Sequence, residues 1–549
     1  MFDKLSTHIR RQWPVWLLTL IAAALTQRFL LTGSVGIDTE LMLYDRSLDY
    51  HIWYISGRYC LIFLSRLLNP FGFSVMRSGI LAILFLVCAC VLWTFLWKAA
   101  GADISRLSCL SFSLLLVTSP VLSEQLYFKL QVQEICLCLC LSAVSVWLAF
   151  VFATAGAGRG SGVRRQPVPA RARVCGVASA LLLTFLISCY QAFAEVFILG
   201  AVMMYLIQKT CLDRKNPDDS AQKDTPQDLR MIFRFILVFL AGYALNEVIT
   251  RFVCGVDPYY AGGGIHWGTQ PFKECLKDIL YHGTEIFTGQ GLFFTVAFPL
   301  LAVYVSVLLL LRTGSRGISR DTGTSPAERA LLIAAYVLLL ASPFLIEILA
   351  GARMPLRSMF PFSLLLAVLG CFATQLAQRM MRRKDATSGS RPDAGGISVP
   401  LLCATLFCLI AFCEDAYAAH RLSVTDGMRY AQDRNTAFAV EERITQLTGG
   451  DETVPVYFFG AFESAQDAYP VRGEMFGASI FAWDYNAVPK GYWNSQRIIF
   501  FMHTLGIRHP APEEDVAARI GEVADTLDVW PAQGSVQLID GIVLMRFSE

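Results

Sequence analysis

The sequence predicts a polytopic α-helical membrane protein of about 11 transmembrane helices, followed by a small C-terminal α/β domain outside the cytoplasm. The first reason is apolar content, since 55% of the 549 residues are hydrophobic and the mean hydropathy is +0.49. The second is charge, because charged residues make up 16% of the chain, against about 25% in soluble proteins. The third is a polar segment after residue 420 in which helix and strand patterns alternate.

The apolar runs are long enough to cross a bilayer, which takes about 20 residues each. We place them at 13–32, 78–97, 107–122, 131–153, 174–189, 191–208, 231–250, 289–311, 329–348, 358–378 and 399–417. The stretch 174–208 has about twice the length of one span, so we divide it at Tyr190-Gln191. If that stretch formed one long helix, the count would be one lower and the C-terminus would change side.

Lysine and arginine residues collect on one side of this arrangement. They lie in the N-terminal tail and in the loops 155–173, 209–234, 312–320 and 379–384. Because such residues accumulate in cytoplasmic loops, we expect a cytoplasmic N-terminus. The segment 33–57 and the tail from 421 to 549 then lie on the outer face.

The chain is therefore divided into a transmembrane domain, 1–420, and a C-terminal domain, 421–549, that is long enough to fold as a unit. In the second part we predict two helices, a strand and a hairpin. They are the helix Asp426–Leu447, ended by Gly449-Gly450, the strand Val454–Phe459, the helix Pro512–Leu527, and the hairpin Val536–Phe547 around Asp540-Gly541.

An acidic segment follows the first span on the outer face. It contains Asp38, Glu40, Asp45 and Asp49 and closes at Gly57-Arg58. Apolar residues recur at helical spacing through the segment and predict one helix lying in the membrane interface, with Asp38, Asp45 and Asp49 along one edge. A carboxylate placed there can accept a proton from a sugar hydroxyl. The alternative is a solvated loop.

Basic and polar residues occur near the outer ends of other spans. Arg353 and Arg357 flank Pro355 and, with Arg58, supply guanidinium groups that match phosphate oxygens. Contact with lipid headgroups, or an ion pair with Glu347, is the alternative for the pair. Ionisable and polar residues at membrane depth indicate function; these are Glu124, Gln125, Glu134, Tyr190, Gln191 and Glu195. For Glu195 the alternative is a hydrogen bond that joins two helices.

Several common sites are missing from the sequence. The Gly262-Gly263-Gly264 run is not followed by GK[ST], and neither G-x-S-x-G nor H-E-x-x-H occurs. The histidines and cysteines lack the spacing of metal ligands. We therefore predict no metal site, no cofactor and no nucleic-acid partner.

Taken in order, these short motifs resemble the integral-membrane glucosyltransferases of the Glucos_trans_II type, typified by phage-encoded O-antigen glucosyltransferases. The matching pieces are Gly36–Glu40, Ser56–Tyr59, Ser119-Pro120 with Glu124, Ser188–Ala192 and Arg353–Pro361. The resemblance covers roughly residues 10 to 420 and implies a GT-C type of fold.

The resemblance implies that the protein takes a sugar, glucose first among candidates, from undecaprenyl phosphate or a similar polyprenyl phosphate. The acceptor would be lipopolysaccharide O-antigen or another surface glycan on the periplasmic face of a bacterial inner membrane. Asp38 is implied as the base, with Glu40 second, and the Asp-Thr-Glu order leaves open which acid acts. Arg58, Arg353 and Arg357 would hold the departing phosphate, and dependence on a divalent metal is left open. A flippase of lipid-linked sugar, or a polysaccharide polymerase or ligase, is the alternative.

Overall fold

The computed structural model describes residues 2–156, 168–211, 225–255, 265–289, 291–314, 326–388, 398–463 and 469–548. Parts of three basic loops used above to predict sidedness, 157–167, 212–224 and 315–325, lie outside the described residues, as does the Gly262–Gly264 run.

Helices make up most of the described chain. The first twelve are α1 (Phe2–Arg11), α2 (Trp13–Thr26), α3 (Thr39–Tyr44), α4 (Arg46–Ile55), α5 (Tyr59–Leu68), α6 (Val75–Ala99), α7 (Arg106–Thr118), α8 (Pro120–Leu126), α9 (Val132–Thr154), α10 (Ala170–Cys189), α11 (Phe193–Thr210) and α12 (Thr225–Ile249). The others are α13 (Phe272–Thr288), α14 (Ala297–Gly314), α15 (Pro326–Ala341), α16 (Leu345–Ala350), α17 (Pro361–Ser388), α18 (Val399–Thr448), α19 (Tyr492–Thr504) and α20 (Glu514–Ala524).

Eight helices within the described residues are long and apolar enough to cross a membrane, and α7 with α8, which meet at an angle of 50°, would make a ninth if the pair is one span. Each predicted span overlaps one of these or one of two shorter apolar helices, Trp13–Thr26 and Ala297–Leu311. A third short apolar helix, Tyr59–Leu68, was not predicted. The multi-span helical class is confirmed, whereas the count of about 11 stays a prediction.

The predicted division of 174–208 is confirmed. Helix α10 ends at Cys189, and Tyr190 takes an extended conformation (φ −159°, ψ 127°) before α11 begins at Phe193. The Tyr190 ring at this break lies beside the Phe360 ring, with 6.0 Å between their centroids. Helix α17 lies at the centre of the bundle, buried along its whole apolar stretch, and packs against α7, α14 and α18.

The last span continues far beyond the predicted domain boundary. Helix α18 has 50 residues and is therefore about 75 Å long, so it crosses residue 420 without a break. It ends where Gly449 adopts a left-handed conformation (φ 68°), which confirms the predicted stop. The division into two domains at this point stays a prediction.

A three-stranded sheet follows α18. Its strands are β1 (Val456–Phe459), β2 (Val536–Ile539) and β3 (Ile542–Arg546), in the order β1-β3-β2. Strand β3 pairs in parallel with β1, Val456 opposite Val543, and antiparallel with β2. Asp540 and Gly541 both have positive φ angles, as a two-residue hairpin turn requires. The predicted strand corresponds to β1, the predicted hairpin to β2 and β3, and the predicted helix Pro512–Leu527 to α20, so these three are confirmed. Helix α19 was not predicted.

Most of the buried apolar C-terminal residues share one hydrophobic core with the membrane helices, while a smaller second cluster includes Tyr457, Phe459 and Leu544. The Phe476 ring packs edge-on against Phe29 at 5.0 Å and against Tyr127 at 4.9 Å between centroids. Aromatic contacts of this kind add to the burial of apolar area, so the C-terminal region is fixed on the segments that precede and follow the acidic segment.

Candidate active site

The acidic segment forms two helices, not the single interfacial helix predicted. Asp45 interrupts the chain between α3 and α4 in an extended conformation (φ −148°), and its carboxylate accepts a hydrogen bond from the Ser47 backbone N–H at 2.8 Å. An aspartate is a favourable N-cap, and the local cap competes with a continuous helix. Asp45 is therefore separated from Asp38 and Asp49, which corrects the expectation of one acidic edge.

A cavity of about 180 Å³ lies between the acidic segment and the C-terminal region. Its walls combine acidic, basic and aromatic side chains. The charged ones are Asp38, Glu40, Asp49, Arg58, Arg357, Asp484 and Arg497. Tyr44 on α3 stacks against Phe500 on α19 with ring centroids 3.8 Å apart, which fastens the two walls together.

Asp38 has an unusual backbone. It directly precedes α3, where an aspartate usually caps the helix, yet its φ angle is 67° and its side chain makes no capping bond. A left-handed conformation costs energy for residues other than glycine and is concentrated at functional sites. The carboxylate instead accepts a hydrogen bond from Arg497 Nη1 at 3.2 Å, and the side chain stays 41% exposed to the cavity.

Glu40 and Asp49 lie deeper than Asp38. Only 1% of the Glu40 side chain is exposed, and one of its oxygens accepts a hydrogen bond from Arg497 Nη1. Burial raises the pKa of Glu40 to about 7, although the Arg497 charge acts in the opposite direction. Burial also raises the pKa of Asp49 well above its usual range, and the nearby Asp38 and Glu40 charges add to that rise.

Arg497 on α19 holds the acidic wall together. Its Nη2 and Nε donate to Asp484 Oδ2 at 2.7 and 3.0 Å, and its Nη1 donates to both Asp38 Oδ1 and Glu40 Oε1. Burial would lower the pKa of this guanidinium, but the carboxylates of Glu40, Asp38 and Asp484 outweigh it and hold the pKa above the usual range. Sequence reasoning missed Arg497 and Asp484.

The basic wall is formed by Arg58 and Arg357. The Arg58 guanidinium lies 4.9 Å from the centre of the Tyr190 ring, and Arg357 lies 5.1 Å from the centre of the Phe128 ring. The Tyr190 hydroxyl is 3.2 Å from Ser358 Oγ. Neither guanidinium is ion-paired with a carboxylate in the part of the chain that the structure describes. Stacked guanidiniums keep their N–H edges available to an anion.

Other predicted site residues lie outside this cavity. Arg353 is exposed and pairs with Glu285 at 3.1 Å, and Gln191 is exposed as well. Glu195 accepts a hydrogen bond from the Ile346 N–H at 2.8 Å, which is the helix-joining role named as its alternative. The structure therefore brings Arg58 and Arg357 together in the cavity but places Arg353 elsewhere.

Glu124 and Glu347 also have partners of their own. Glu124 is fully buried and accepts hydrogen bonds from the Glu474 and Met475 N–H groups at 2.9 and 3.0 Å. It thus fastens the C-terminal region to α8. Glu347, the suggested partner of the two arginines, instead lies 2.7 Å from His282 Nδ1.

A buried ionic network on α18 fixes both approaches to the cavity. Arg429 is fully buried, pairs with Asp426 at 2.7 Å and Asp433 at 3.1 Å, and donates to the Val35 carbonyl at 2.8 Å. Asp426 accepts from Ser34 Oγ at 2.5 Å, and Asp433 from Ser479 Oγ at 2.6 Å. Hydrogen bonds to Ser34 and Val35, just before Asp38, and to Ser479, just before Asp484, therefore hold both cavity-lining segments against helix α18.

In the described residues, no group of three or more His, Cys, Asp or Glu side chains has a geometry that could hold a metal ion. The apolar helices and the polar cavity together define a multi-pass membrane protein with a charged site between its helices and its C-terminal region. Residues 28–374 match the model of the Glucosyl transferase GtrII family, so the chain belongs to that family.

The matched stretch contains every site residue predicted from the sequence but neither Asp484 nor Arg497. Among curated proteins, none matches the chain.

Among solved structures, the archaeal oligosaccharyltransferase AglB from Archaeoglobus fulgidus, in complex with an inhibitory peptide and a dolichol-phosphate, is similar over 76% of this chain, with a TM-score of 0.39 and 14% identity. A second structure of an oligosaccharyltransferase from that organism, tethered to an acceptor peptide by a disulfide bond, has a TM-score of 0.38 and 14% identity over the same share. This chain spans 56% of the length of either archaeal chain.

Proposed function

We propose that the protein transfers a sugar, glucose first among candidates, from a polyprenyl-phosphate carrier to a surface glycan such as lipopolysaccharide O-antigen. The reaction would take place on the periplasmic face of a bacterial inner membrane. One observation carries the proposal: in a member of a glucosyltransferase family, carboxylates line the same cavity as two guanidiniums that pair with no carboxylate among the described residues.

The basic wall suits the donor. A polyprenyl-phosphate sugar carries one negative charge on its phosphodiester, and loss of the sugar leaves a phosphomonoester with a second negative charge. Arg58 and Arg357, which both line the cavity, would bind this group through bidentate hydrogen bonds and stabilise the charge that develops as the bond to the sugar breaks. Their aromatic neighbours keep both guanidiniums in position.

Asp38 is the better candidate for the base. Its side chain is 41% exposed towards the cavity, whereas that of Glu40 is 1% exposed. A base has to come within hydrogen-bond distance of the proton that it removes, and an acceptor hydroxyl can reach Asp38 without displacing protein. The Asp38 carboxylate takes the hydroxyl proton, the hydroxyl oxygen bonds to the anomeric carbon, and the electron pair of the broken bond passes to the carrier phosphate.

Glu40 and Arg497 are positioning residues in this scheme. Arg497 joins Asp38 to Glu40 and Asp484, so the carboxylate of the base is held at a defined place despite its strained backbone. The step as written uses no cofactor beyond the lipid-linked donor. Metal dependence is tested by titrating EDTA into the same assay.

The experiment uses purified protein in lipid nanodiscs, radiolabelled polyprenyl-phosphate glucose and isolated lipopolysaccharide. We expect label to appear on the glycan with wild-type protein and not with Asp38→Asn. The matched control is Asp45→Asn, a change to an acid of the same segment that lies outside this cavity, and asparagine also caps helices well. Full transfer by Asp38→Asn would refute the role of Asp38.

The donor and the side of the membrane are tested separately. In proteoliposomes, label that changes leaflet without joining the acceptor would indicate a flippase. Transfer only from pyrophosphate-linked oligosaccharides would indicate a polymerase or ligase. A reporter fused after residue 549 should report a periplasmic C-terminus, and a cytoplasmic signal would overturn the proposed sidedness.

A further inference from the structure

We propose that the end of the helix bundle opposite the acidic cavity binds the anionic headgroup of a membrane phospholipid. A second cavity, of about 270 Å³, lies there between three helices. Four arginines line it: Arg11 from α1, Arg106 from α7, and Arg379 and Arg382 from α17. This inference is independent of the proposed sugar transfer.

The charge of this basic pocket favours an anion. Arg379 interacts with another residue; apart from it, the described lining contains three guanidiniums and one carboxylate, that of Asp103, which gives a formal charge of +2. The pocket also includes the first residue of α7, Arg106. Ser105 caps this helix by accepting from the Ser108 N–H at 3.0 Å, and the N–H groups of the first turn add the positive end of the helix dipole.

The floor of the basic pocket is built of buried polar groups. Gln375 is 5% exposed; its Nε2 donates to the Asp103 carbonyl and its Oε1 accepts from Ser108 Oγ at 3.1 Å. Thr374 Oγ1 donates to the same Ser108 hydroxyl at 3.0 Å. The side-chain amide is thereby fixed by partners within the protein, so the N–H groups of Arg11, Arg106 and Arg382 are the donors offered to a phosphate ester.

The position of the pocket favours a lipid headgroup over free phosphate. Arg357 lines the acidic cavity, and Arg379 lies 22 residues further along the same helical stretch. At 1.5 Å per residue the two are about 33 Å apart, close to the thickness of a bilayer's hydrocarbon core of about 30 Å. The basic pocket therefore lies at the opposite membrane boundary, where phospholipid headgroups are concentrated.

The neighbouring surface is suited to acyl chains. Trp13, two residues after Arg11, is 61% exposed, and Leu17, one helical turn further along α2, is 50% exposed. Helix α2 packs against α7, which begins at the pocket. An exposed tryptophan next to arginines and followed by leucines is typical of the membrane interface, and basic pockets between membrane helices bind anionic headgroups.

The test compares the thermal stability of purified protein in mixed micelles that contain increasing dioleoylphosphatidylglycerol or, as the neutral reference, dioleoylphosphatidylcholine. Three proteins are measured: wild type, the pocket variant Arg106→Gln/Arg382→Gln, and the control variant Arg171→Gln/Arg173→Gln. The control removes the same charge from exposed arginines at the start of α10, outside the pocket.

We expect phosphatidylglycerol to raise the melting temperature of wild type and control at low mole fraction, and to need about tenfold more lipid in the pocket variant. An unchanged response of the pocket variant would overturn the proposal. So would inorganic phosphate that reproduces the shift at the same anion concentration, since the site would then bind a free anion. If the double variant fails to fold, Arg382→Gln alone is measured, because that side chain is exposed.

Discussion

Replacing Arg497 by methionine is the most direct test of the acidic wall. Methionine keeps much of the length of the side chain and removes the guanidinium that serves Asp38, Glu40 and Asp484. The Arg497 side chain is 14% exposed, so its charge is poorly replaced by water. Breaking a buried ion pair by removing one partner costs about 3–5 kcal/mol.

Most of that loss should come from Glu40. Asp38 and Asp484 are 41% and 33% exposed, and water screens partly exposed pairs so that each contributes about 1 kcal/mol or less. Glu40 is 1% exposed and has no other charged partner among the described residues. The expected loss of stability is therefore about 3 kcal/mol for Glu40 alone, towards the lower end of the range for buried pairs.

The loss should depend on pH. The Arg497 charge lowers the pKa of Glu40, which burial nonetheless raises to about 7. Without the guanidinium the pKa rises further, so the stabilisation that Arg497 provides is present above pH 7 and disappears as Glu40 takes up a proton at lower pH. The difference between wild type and Arg497→Met should be largest near pH 8 and smaller near pH 5.

The assay is thermal unfolding in detergent, followed by tryptophan fluorescence at pH 5 and pH 8. The matched control is Arg472→Met, because Arg472 belongs to the same C-terminal region and pairs with Glu463 at 2.9 Å but is 34% exposed. Arg497→Met/Glu40→Gln should recover much of the stability at pH 8. Equal melting temperatures for Arg497→Met and Arg472→Met at pH 8, or no recovery in the double variant, would refute this reasoning.

Three further predictions rest on other parts of the structure. In the wild type, the free energy of unfolding should fall as the pH rises from 4.5 to about 7, because Glu40 holds its proton in the folded state over that range but loses it in the unfolded state; at 1.36 kcal/mol per pH unit the loss is about 3 kcal/mol. Glu40→Gln should remove this fall. Parallel curves of stability against pH for the two proteins would contradict the prediction. Gly473→Ala should lower the melting temperature and transfer, because its Cβ would overlap Glu124 Oε1, whereas Gly521→Ala, with open space around it, should not; equal melting temperatures would count against the close approach. Arg429→Met should cost about 3–5 kcal/mol, because it leaves the buried Asp433 without a charged partner among the described residues and leaves Asp426 with Lys129 alone, 3.6 Å away. The exposed Arg434→Met on the same helix should be nearly neutral; similar losses in both would argue against the network.

Local features of the sequence predicted the fold well. Apolar run length located the helices that can span a membrane, and Gly449 and Asp540-Gly541 marked a helix end and a hairpin because these positions need positive φ angles. Local reasoning failed at Asp45, where a side-chain cap divides a helix that apolar periodicity had joined. It also missed α19. The consecutive residues Ile498–Met502 of this helix are all buried, so apolar residues occupy every side of it and no amphipathic pattern marks it in the sequence.

The predicted site was incomplete for a different reason. Asp38, Glu40, Arg58, Tyr190 and Arg357 all reach the cavity. Arg353 does not, because it pairs with Glu285 instead. Its spacing from Arg357 in the sequence gives no sign of that contact. A contact between residues more than 60 positions apart depends on the packing of the helices between them, and no local pattern encodes it.

Charge balance offered a signal that was not used. The acidic segment contains Arg46 and ends at Arg58, but both arginines contact groups other than its carboxylates. Arg46 donates to the Asn69 carbonyl at 3.2 Å, and Arg58 stacks on Tyr190. Carboxylates buried as deeply as those of Glu40 and Asp49 need a partner or a proton. For Glu40 a cation from a distant part of the chain meets this need, and Arg497 supplies it from a region that the family match does not reach. The acids come from the family-matched part and their counter-charge from beyond it, so the charged site is complete only when the C-terminal region is docked on the membrane helices.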